Sequence, residues 1–265
     1  MEIIGYILAI FIGLSLGLVG SGGSILTVPL LVYFFHIEPT IATSYSLFIV
    51  GAASGVGTAI RIRQRQVNFR ILALFGTSSI LTVFLTRKFV FPTIPDILFQ
   101  TGQYQISKSF ALMILFAILI LLSSLYVLKG QPENKEQLSS PSKLTLLLCG
   151  VGIGLITGFL GAGGGFLIVP VLMMLYGLSI KTAAGTSLAI ITANTLLGGI
   201  GDLGHVPLDW TFLITLIMIT LIGLFAGNAL SQRIHRKKLS QGFGWFLLVM
   251  AVLILVLEIT AFNPI

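Results

Sequence analysis

Long apolar runs, separated by short polar or glycine-rich stretches, occupy most of the chain. The runs cover residues 3–20, 25–36, 41–60, 70–87, 109–128, 144–160, 165–177, 182–201, 211–232 and 243–262. A bilayer-spanning helix needs roughly 20 apolar residues, and most of these runs approach that length. The long runs lack the period-two alternation of β-barrel strands. The pattern therefore predicts an all-α polytopic membrane protein.

Composition points to the same class of protein. Hydrophobic residues make up 56% of the 265-residue chain, charged residues make up 9%, and the mean hydropathy is +1.07. A soluble domain carries roughly 25% charged residues, and a soluble enzyme of this composition would expose more apolar surface than monomers tolerate. A disordered protein, a coiled coil and a disulfide-stapled secreted domain are also excluded. The single Cys149 lies in an apolar stretch, where a packing role is expected.

A hydrophilic connector divides the chain almost in half. Residues 130–143 read GQPENKEQLSSPSK, and this Pro, Glu, Lys and Ser content is typical of an exposed linker. The sequence predicts a first membrane repeat at 1–129, the linker at 130–143 and a second membrane repeat at 144–265. No basic region precedes the first apolar run, so we expect that run to be retained rather than cleaved as a signal sequence.

The two halves repeat each other at an offset of 141 residues. Residues 17–31 read GLVGSGGSILTVPLL and residues 158–172 read GFLGAGGGFLIVPVL, with 8 of 15 positions identical. The match continues without a gap as far as residues 67–69, which align with 208–210. Internal duplication of this kind is the signature of many transporter folds.

The basic residues predict how the repeats are oriented. If all five runs of each half cross the bilayer, the second half is inverted relative to the first, and 12 of 15 basic residues share one side. These are Arg61, Arg63, Arg65, Arg70, Lys129, Lys135, Lys143, Lys181, Arg233, Arg236, Lys237 and Lys238. Arg87, Lys88 and Lys108 fall on the other side, whereas four crossings per half would split the basic residues 7 to 8. Positive residues favour the cytoplasm, so we predict two inverted five-segment repeats in the cytoplasmic (plasma or inner) membrane, with a cytoplasmic linker.

Two glycine clusters interrupt the apolar pattern at equivalent places, at residues 20–24 and 161–165. Residues 3–36 would form about 51 Å of helix, which is too long for one crossing of about 30 Å and too short for two. Each cluster should therefore dip into the membrane, from opposite faces, and begin a short helix. The N–H groups at a helix N-terminus bind anions, so the clusters predict an anion pocket. Close helix packing is the alternative role for these glycines.

Polar and proline residues near the clusters extend the predicted site. The predicted substrate contacts are Gly20, Ser21, Gly22, Gly23, Ser24, Ser46, Gly161, Gly163, Gly164, Gly165, Thr186, Ser187 and Asn194. Hydroxyl and amide groups can donate hydrogen bonds to an oxyanion, although Ser and Thr also link neighbouring membrane helices. Pro29 and Pro170 follow the clusters and predict helix kinks.

Charged residues are expected at the ends of the apolar runs rather than inside them. Glu258 lies near the end of the last run, and Asp202, His205 and Asp209 are assigned to a loop. Cation-coupled carriers usually keep an intramembrane carboxylate, so the pattern favours an anion held by backbone dipoles. The predicted partners are a small anion and the lipid bilayer, with no nucleic acid, no cofactor and no metal, and the oligomeric state is left open. A serine nucleophile with a partner histidine is missing, which disfavours a membrane enzyme.

The two glycine motifs, together with AAGTSLAIITANTLLGGIGDLGHVPLDW in the second half, resemble the sulfite exporter TauE/SafE family of membrane permeases. The resemblance covers nearly the whole chain, and the second-half motif is the more specific of the two. It implies a permease for sulfite, sulfonates or related organosulfur anions, with the family's paired glycine motifs at 20–24 and 161–165. We therefore expect a secondary transporter that works by alternating access. An anion channel or a non-transporting membrane scaffold is the alternative.

Overall fold

Helices form nearly all the regular structure of the computed structural model. The structure describes residues 2–19, 23–101, 104–129, 142–161, 163–178, 180–231 and 236–261. Within these ranges, five stretches are long and apolar enough to cross a membrane, and four shorter apolar helices accompany them. The five are Pro39–Arg63, Phe69–Thr93, Lys108–Leu125, Lys181–Asp202 and Trp210–Leu230. The chain is thus a helical multi-pass membrane protein, as the apolar runs predict.

Each half contributes five helical segments in the same order. The first half comprises α1 (Glu2–Val19), a 3₁₀ turn (Gly23–Leu26) leading into α2 (Thr27–Phe35), α3 (Pro39–Arg63), a fourth segment, and α7 (Lys108–Lys129). The fourth segment runs through α4 (Phe69–Ile71), a π-helical stretch (Leu72–Gly76), α5 (Thr77–Leu85), a second π-helical stretch (Thr86–Val90) and α6 (Phe91–Thr93). The second half comprises α8 (Lys143–Leu160), α9 (Gly165–Tyr176), α10 (Ile180–Asp202), α11 (Trp210–Ser231) and α12 (Arg236–Ala261).

The region after residue 87 differs from the sequence prediction. The fourth apolar run ends there, but the helical path continues through the second π-helical stretch to Thr93. Strands β1 (Ile97–Thr101) and β2 (Tyr104–Ser107) then pair as an antiparallel hairpin, so the fold is not purely all-α. The hairpin is too short to leave a clear period-two signal, and it lies between two apolar helices that dominate the hydropathy pattern.

Equivalent residues of the two halves make equivalent contacts. The side chains of Asn68 and Asp209 each accept hydrogen bonds from two backbone N–H groups in the first turn of the helix that follows, as N-cap residues do. The backbone N–H of Asn68 donates to Thr186 Oγ1 at 2.9 Å, and that of Asp209 donates to the Tyr45 hydroxyl at 2.6 Å. Each half thus anchors the start of its fourth segment on the third helix of the other half.

The third helices of the two halves, α3 and α10, pack against each other in opposite directions. Ser44, near the start of α3, hydrogen-bonds to Asp202 at the end of α10. Gly57, near the end of α3, faces Leu188 in the first part of α10. Around this pair, α1 packs on α11, α8 packs on the fourth segment of the first half, and α7 packs on α12. Every one of these contacts therefore joins one half to the other.

Glycines let α1 approach α11 closely. An added Cβ at Gly13 would fall on the carbonyl oxygen of Thr220, and added Cβ atoms at Gly17, Gly223 and Gly227 would also overlap the facing backbone. Small residues at such crossings permit the close packing that holds membrane helices together. These four glycines therefore serve close packing of α1 against α11.

Replacing Gly13 by Ala should destabilise the fold. The methyl group must displace the backbone of α11, and overpacking of this kind costs about 1–3 kcal/mol. The apparent melting temperature of the detergent-solubilised protein, followed by size-exclusion chromatography after heating, should fall. Gly152→Ala in α8 is the matched control, because no atom lies within 4 Å of its added Cβ. Equal loss of stability in both variants would contradict the packing explanation.

Candidate functional site

The second glycine cluster breaks the helical path between α8 and α9. Helix α8 ends at Leu160, Gly161 caps it in the left-handed conformation with a φ of 66°, and α9 begins at Gly165. Gly163 and Gly164 also have positive φ angles, of 68° and 67°, in a region that other residues rarely adopt. The predicted break is present, and its backbone conformation explains why glycines form it.

The break lies against the middle of the two central helices. An added Cβ at Gly163 would lie 2.8 Å from Ile191 and 3.2 Å from Val50, which are near the midpoints of α10 and α3. Helix α9 has only 12 residues, about 18 Å of helix, so it is too short to cross a bilayer core of about 30 Å. The non-helical backbone is therefore at mid-depth of the bundle, where protein or enclosed water must cover its polar groups.

The first glycine cluster lies only partly within the described residues. Gly20, Ser21 and Gly22 lie outside them, whereas Gly23 and Ser24 begin the 3₁₀ turn and are buried. An added Cβ at Gly23 would lie 2.6 Å from the carbonyl oxygen of Ile12, so the chain folds back closely on α1. The 3₁₀ turn also packs against α9, which brings together the short helices that follow the two clusters.

Ser46 and Ser187 occupy equivalent positions on α3 and α10. Both residues are 0% exposed, and neither hydroxyl oxygen has a hydrogen-bond partner within the described part of the chain. Ser46 lies three residues after Thr43 and four before Val50, the α3 residues that face the second break, so helical spacing puts it on the same side of α3. A buried hydroxyl without a partner costs free energy, and an oxyanion placed beside the break could accept its hydrogen bond.

Thr186 and Asn194, two of the predicted site residues, are buried, but both already form hydrogen bonds within the protein. Thr186 accepts the N–H of Asn68, and Asn194 Nδ2 donates to Ser79 Oγ at 2.8 Å. The Asn194 Oδ1 atom and the Thr157 Oγ1 atom are buried and have no partner among the described residues. Thr157, which the sequence did not single out, packs directly against Gly164 and so adds a hydroxyl group to the break.

The two prolines occupy different parts of their helices. Pro29 lies in the first turn of α2, where its missing N–H group removes no intrahelical hydrogen bond. Pro170 lies in the interior of α9, where proline removes one such bond and favours a bend. The kinks at Pro29 and Pro170 stay predictions, and the position of Pro170 favours its kink more strongly.

A buried ion pair lies beside the second break, and the sequence prediction assigns one partner, Asp202, to the wrong structural element. Arg87, the last residue of the predicted apolar run 70–87, is 0% exposed and lies in the π-helical stretch Thr86–Val90. Asp202, assigned to a loop, is the last residue of α10 and is 3% exposed. Arg87 Nη1 lies 3.1 Å from Asp202 Oδ2. Arg87 ends the apolar run 70–87 and Asp202 directly follows the run 182–201, so both charges lie at the ends of their runs, but they are buried and paired.

The Arg87 guanidinium group is enclosed on several sides. Its Nη1 donates to Thr43 Oγ1 at 3.1 Å, its Nη2 lies 3.5 Å from the carbonyl oxygen of Phe159, and its Cζ lies 4.5 Å from the Phe91 ring centroid. An added Cβ at Gly161 would lie 2.6 Å from Nη2, so the glycine makes room for the guanidinium group. A positive charge, neutralised by one carboxylate, is thus next to the helix break.

One signal in the sequence could have placed Arg87 inside the protein. Apolar residues continue on both sides of Arg87-Lys88, from Ile80 to Phe91, so this basic pair interrupts an apolar segment instead of ending it. Ionisable residues inside membrane segments are usually paired and face the bundle interior. The π-helical conformation at Thr86–Val90 could not be read from the sequence, although such stretches are frequent at functional sites.

Comparison with known proteins places this helical membrane fold among transporters. The family model described as sulfite exporter TauE/SafE matches residues 6–254. A "probable membrane transporter protein" of Xylella fastidiosa (strain 9a5c) is 30% identical over 92% of this chain and 91% of its own length. The probable membrane transporter protein YdhB of Bacillus subtilis is 28% identical over 83% of this chain and 87% of its own length. No solved structure matches the chain at a significant level.

The fold and these relatives define a multi-pass membrane protein of a transporter class. The chain belongs to the sulfite exporter TauE/SafE family. The match covers both halves and therefore both glycine clusters and the Arg87–Asp202 pair.

Removing one member of the ion pair should destabilise the protein more than removing both. A lone buried charge costs about 3–5 kcal/mol, whereas replacing both partners by neutral groups costs much less. We expect Asp202→Asn and Arg87→Met each to lower the apparent melting temperature strongly, and the double variant to recover part of the loss. Lys88→Gln, which removes an exposed positive charge next to Arg87, should change stability little. Additive losses in the double variant would contradict a coupled pair.

Proposed function

We propose that this protein is a secondary transporter for small sulfur-containing anions such as sulfite or organosulfonates, and that it works by alternating access. The helix break at residues 161–165 carries this proposal. Its non-helical backbone lies at mid-depth of the bundle, beside the buried hydroxyl group of Thr157, and helical spacing puts the Ser46 hydroxyl group on the side of α3 that faces it. Family membership and the transporter names of the relatives support the same activity.

The proposed architecture is a pair of inverted repeats. Helices α3 and α10 are equivalent in the two halves, yet they pack in opposite directions, as the contacts of Ser44 and Gly57 indicate. Equivalent helices that run antiparallel beside each other favour a two-fold axis in the membrane plane. Inverted-repeat carriers bind their substrates near the bilayer midplane, at broken helices. The contact of Gly163 with Ile191 and Val50, near the midpoints of α10 and α3, supports a binding site at the second break.

The chemistry of the break suits an anion. Helix α9 begins at Gly165, and the N-terminus of a helix carries a partial positive charge and N–H groups that bind oxyanions. Because glycine has no side chain, the Arg87 guanidinium group and the Thr157 hydroxyl group come close to the backbone at Gly161 and Gly164. The neighbouring Arg87 adds positive charge, although Asp202 neutralises it in this structure. The N–H groups at the start of α9 could therefore bind a small oxyanion without a buried cation in addition to Arg87.

Export is the direction that the membrane potential favours. A potential that is negative inside opposes anion entry by about 2.3 kcal/mol per charge per 100 mV. Movement of the anion out of the cell would thus run downhill electrically, in agreement with the exporter role in the family's name.

An anion channel is the second candidate, because a broken helix could also line a pore. The two activities differ in their dependence on concentration. A carrier saturates as the anion concentration rises, whereas flux through a channel continues to scale with it. A non-transporting membrane scaffold would show no flux in the same assay.

Ser46→Ala and Ser187→Ala should impair transport while leaving the fold intact. The change removes a hydroxyl group that has no described partner, so its cost to stability is small, but a hydrogen bond to a charged substrate is worth about 1.5–3 kcal/mol. In proteoliposomes, uptake of labelled sulfite, thiosulfate and an organosulfonate should saturate in the wild type, and KM should rise roughly tenfold or more in either variant. Ser124→Ala, at a buried hydroxyl that bonds to the Leu121 carbonyl, is the control. Unchanged kinetics in both site variants would contradict the proposed site, and absence of wild-type flux would contradict the transporter.

Reporter fusions should place the two loops on opposite sides of the membrane. The inverted arrangement puts the linker at 130–143 in the cytoplasm and the loop at 203–209 outside. Green fluorescent protein fused after residue 136 should fluoresce, and alkaline phosphatase fused after residue 205 should be active, while the exchanged reporters should be silent. The same reporter working at both places would refute the inverted arrangement.

A further inference from the structure

The ion pair with Asp202 uses only one edge of the Arg87 guanidinium group. Arg87 Nη1 donates to Asp202 Oδ2 and to Thr43 Oγ1, each at 3.1 Å. On the other edge, Nη2 has a single long contact, at 3.5 Å, with the carbonyl oxygen of Phe159, and the buried Nε has no hydrogen-bond partner among the described residues. An arginine edge of this kind can bind two oxygens of one oxyanion side by side. Arg87 thus keeps donors that the ion pair does not use.

The position of Asp202 favours exchange of its carboxylate for another anion. Both of its described hydrogen bonds, from Arg87 and from Ser44, end on Oδ2, so the ion pair is monodentate. Asp202 is also the last residue of α10, where the partial negative charge of a helix C-terminus disfavours a carboxylate. Exposed residues follow it directly, at 203–205. A movement of the carboxylate towards this loop would leave its place beside Arg87 to another anion.

Buried cations outnumber buried carboxylates around Arg87. The Phe91 ring centroid lies 4.5 Å from Arg87 Cζ and 4.0 Å from Lys108 Nζ, and both of these basic residues are buried. The described hydrogen bonds of Lys108 go to two neutral backbone carbonyl groups. Asp202 is the one buried carboxylate in the described part of the chain. An anion that replaces it therefore enters a region of net positive buried charge.

The unused edge of Arg87 lies directly at the second glycine break. An added Cβ at Gly161 would lie 2.6 Å from Nη2, so no side chain separates this nitrogen atom from the backbone of the break. An oxyanion held by Nη2 and Nε would consequently be within reach of the polar groups of the break as well.

We propose that Arg87 is a substrate-binding residue, and that the sulfite or sulfonate group of the transported anion exchanges with the Asp202 carboxylate as its partner. Asp202 pairs with the guanidinium group in the empty protein, and the anion pairs with it in the loaded protein. The buried positive charge then has a partner in both states, which avoids the cost of a lone buried charge. The inference rests on the proposed transport function, but it adds two residues that the predicted site does not include.

Opposite effects of the two partners on anion affinity test the exchange. The Kd of the detergent-solubilised protein for isethionate, a stable sulfonate, is measured by isothermal titration calorimetry. Asp202→Asn removes the competing carboxylate, so we expect the Kd to fall roughly tenfold. Arg87→Gln removes the charged donor, and the Kd should rise at least roughly tenfold. Weaker or unchanged binding in both variants would overturn the exchange, because a purely structural ion pair predicts effects in the same direction.

Anion-dependent stability keeps the test valid if Asp202→Asn proves too unstable for titration. A ligand that binds only the folded protein stabilises it by mass action, and here isethionate would also give the lone Arg87 a partner. The rise in apparent melting temperature with isethionate should therefore be larger in Asp202→Asn than in the wild type. It should be lost in the double variant Arg87→Met/Asp202→Asn. Equal rises in the single and double variants would overturn the proposal.

Two controls make the stabilisation specific. Lys88→Gln removes an exposed positive charge from the residue after Arg87 and should leave the Kd for isethionate unchanged. Sodium chloride at the same concentration should stabilise Asp202→Asn much less than isethionate does. An equal effect of chloride, or an equal effect of Lys88→Gln and Arg87→Gln on the Kd, would overturn an oxyanion site at Arg87.

Lipid headgroups are another source of the same oxyanion chemistry, and a further arm separates them. The melting experiment is repeated with phosphatidylglycerol added to the detergent micelles in place of isethionate. Stabilisation of Asp202→Asn by the lipid alone would assign Arg87 to a headgroup and overturn the proposal. The result is also separable from the transport assay: saturable wild-type flux without Arg87-dependent binding would leave the transporter standing and overturn only the exchange.

Discussion

Backbone polar groups inside a bilayer must be covered by protein, because lipid offers them no hydrogen bonds. That constraint governs this fold, since the break between α8 and α9 places non-helical backbone at mid-depth. The two central helices α3 and α10 cover it, and the left-handed φ angles at Gly161, Gly163 and Gly164 require glycine there. In a protein whose interior is otherwise largely apolar, we therefore expect a polar ligand to bind at the polar groups around the break.

The two halves have the same order of helical segments but differ in the residues at some equivalent positions. The equivalent N-cap residues Asn68 and Asp209 each hydrogen-bond to the other half. The sequence repeat is therefore accompanied by a repeat of contacts. At the ends of the central helices the halves diverge, because Arg87 meets Asp202 in one place while Asn228 and Arg61 occupy the other. The first place therefore holds a buried ion pair, and the second holds an arginine and an amide.

Hydrophobic patterning predicts the helices well, because a membrane helix must be apolar along most of its length. The run at 144–160, for example, corresponds to α8 at Lys143–Leu160, and the glycine spacing correctly predicts the second break. Which charged residues form ion pairs is harder to predict from sequence. Arg87 and Asp202 are 115 residues apart, and each alone resembles a charged residue at a membrane boundary. Likewise, nothing in the sequence distinguishes Thr186, which is engaged by Asn68, from Ser187, whose hydroxyl has no described partner.

Crystals grown with 2-bromoethanesulfonate would test the central claim most directly, since the bromine atom can be located by its anomalous scattering. We expect a peak in the bundle interior, within contact distance of the backbone at 161–165 and facing Ser46 on α3. A peak confined to the lipid-facing surface, or a continuous helix through residues 161–165 with no space beside it, would contradict the account.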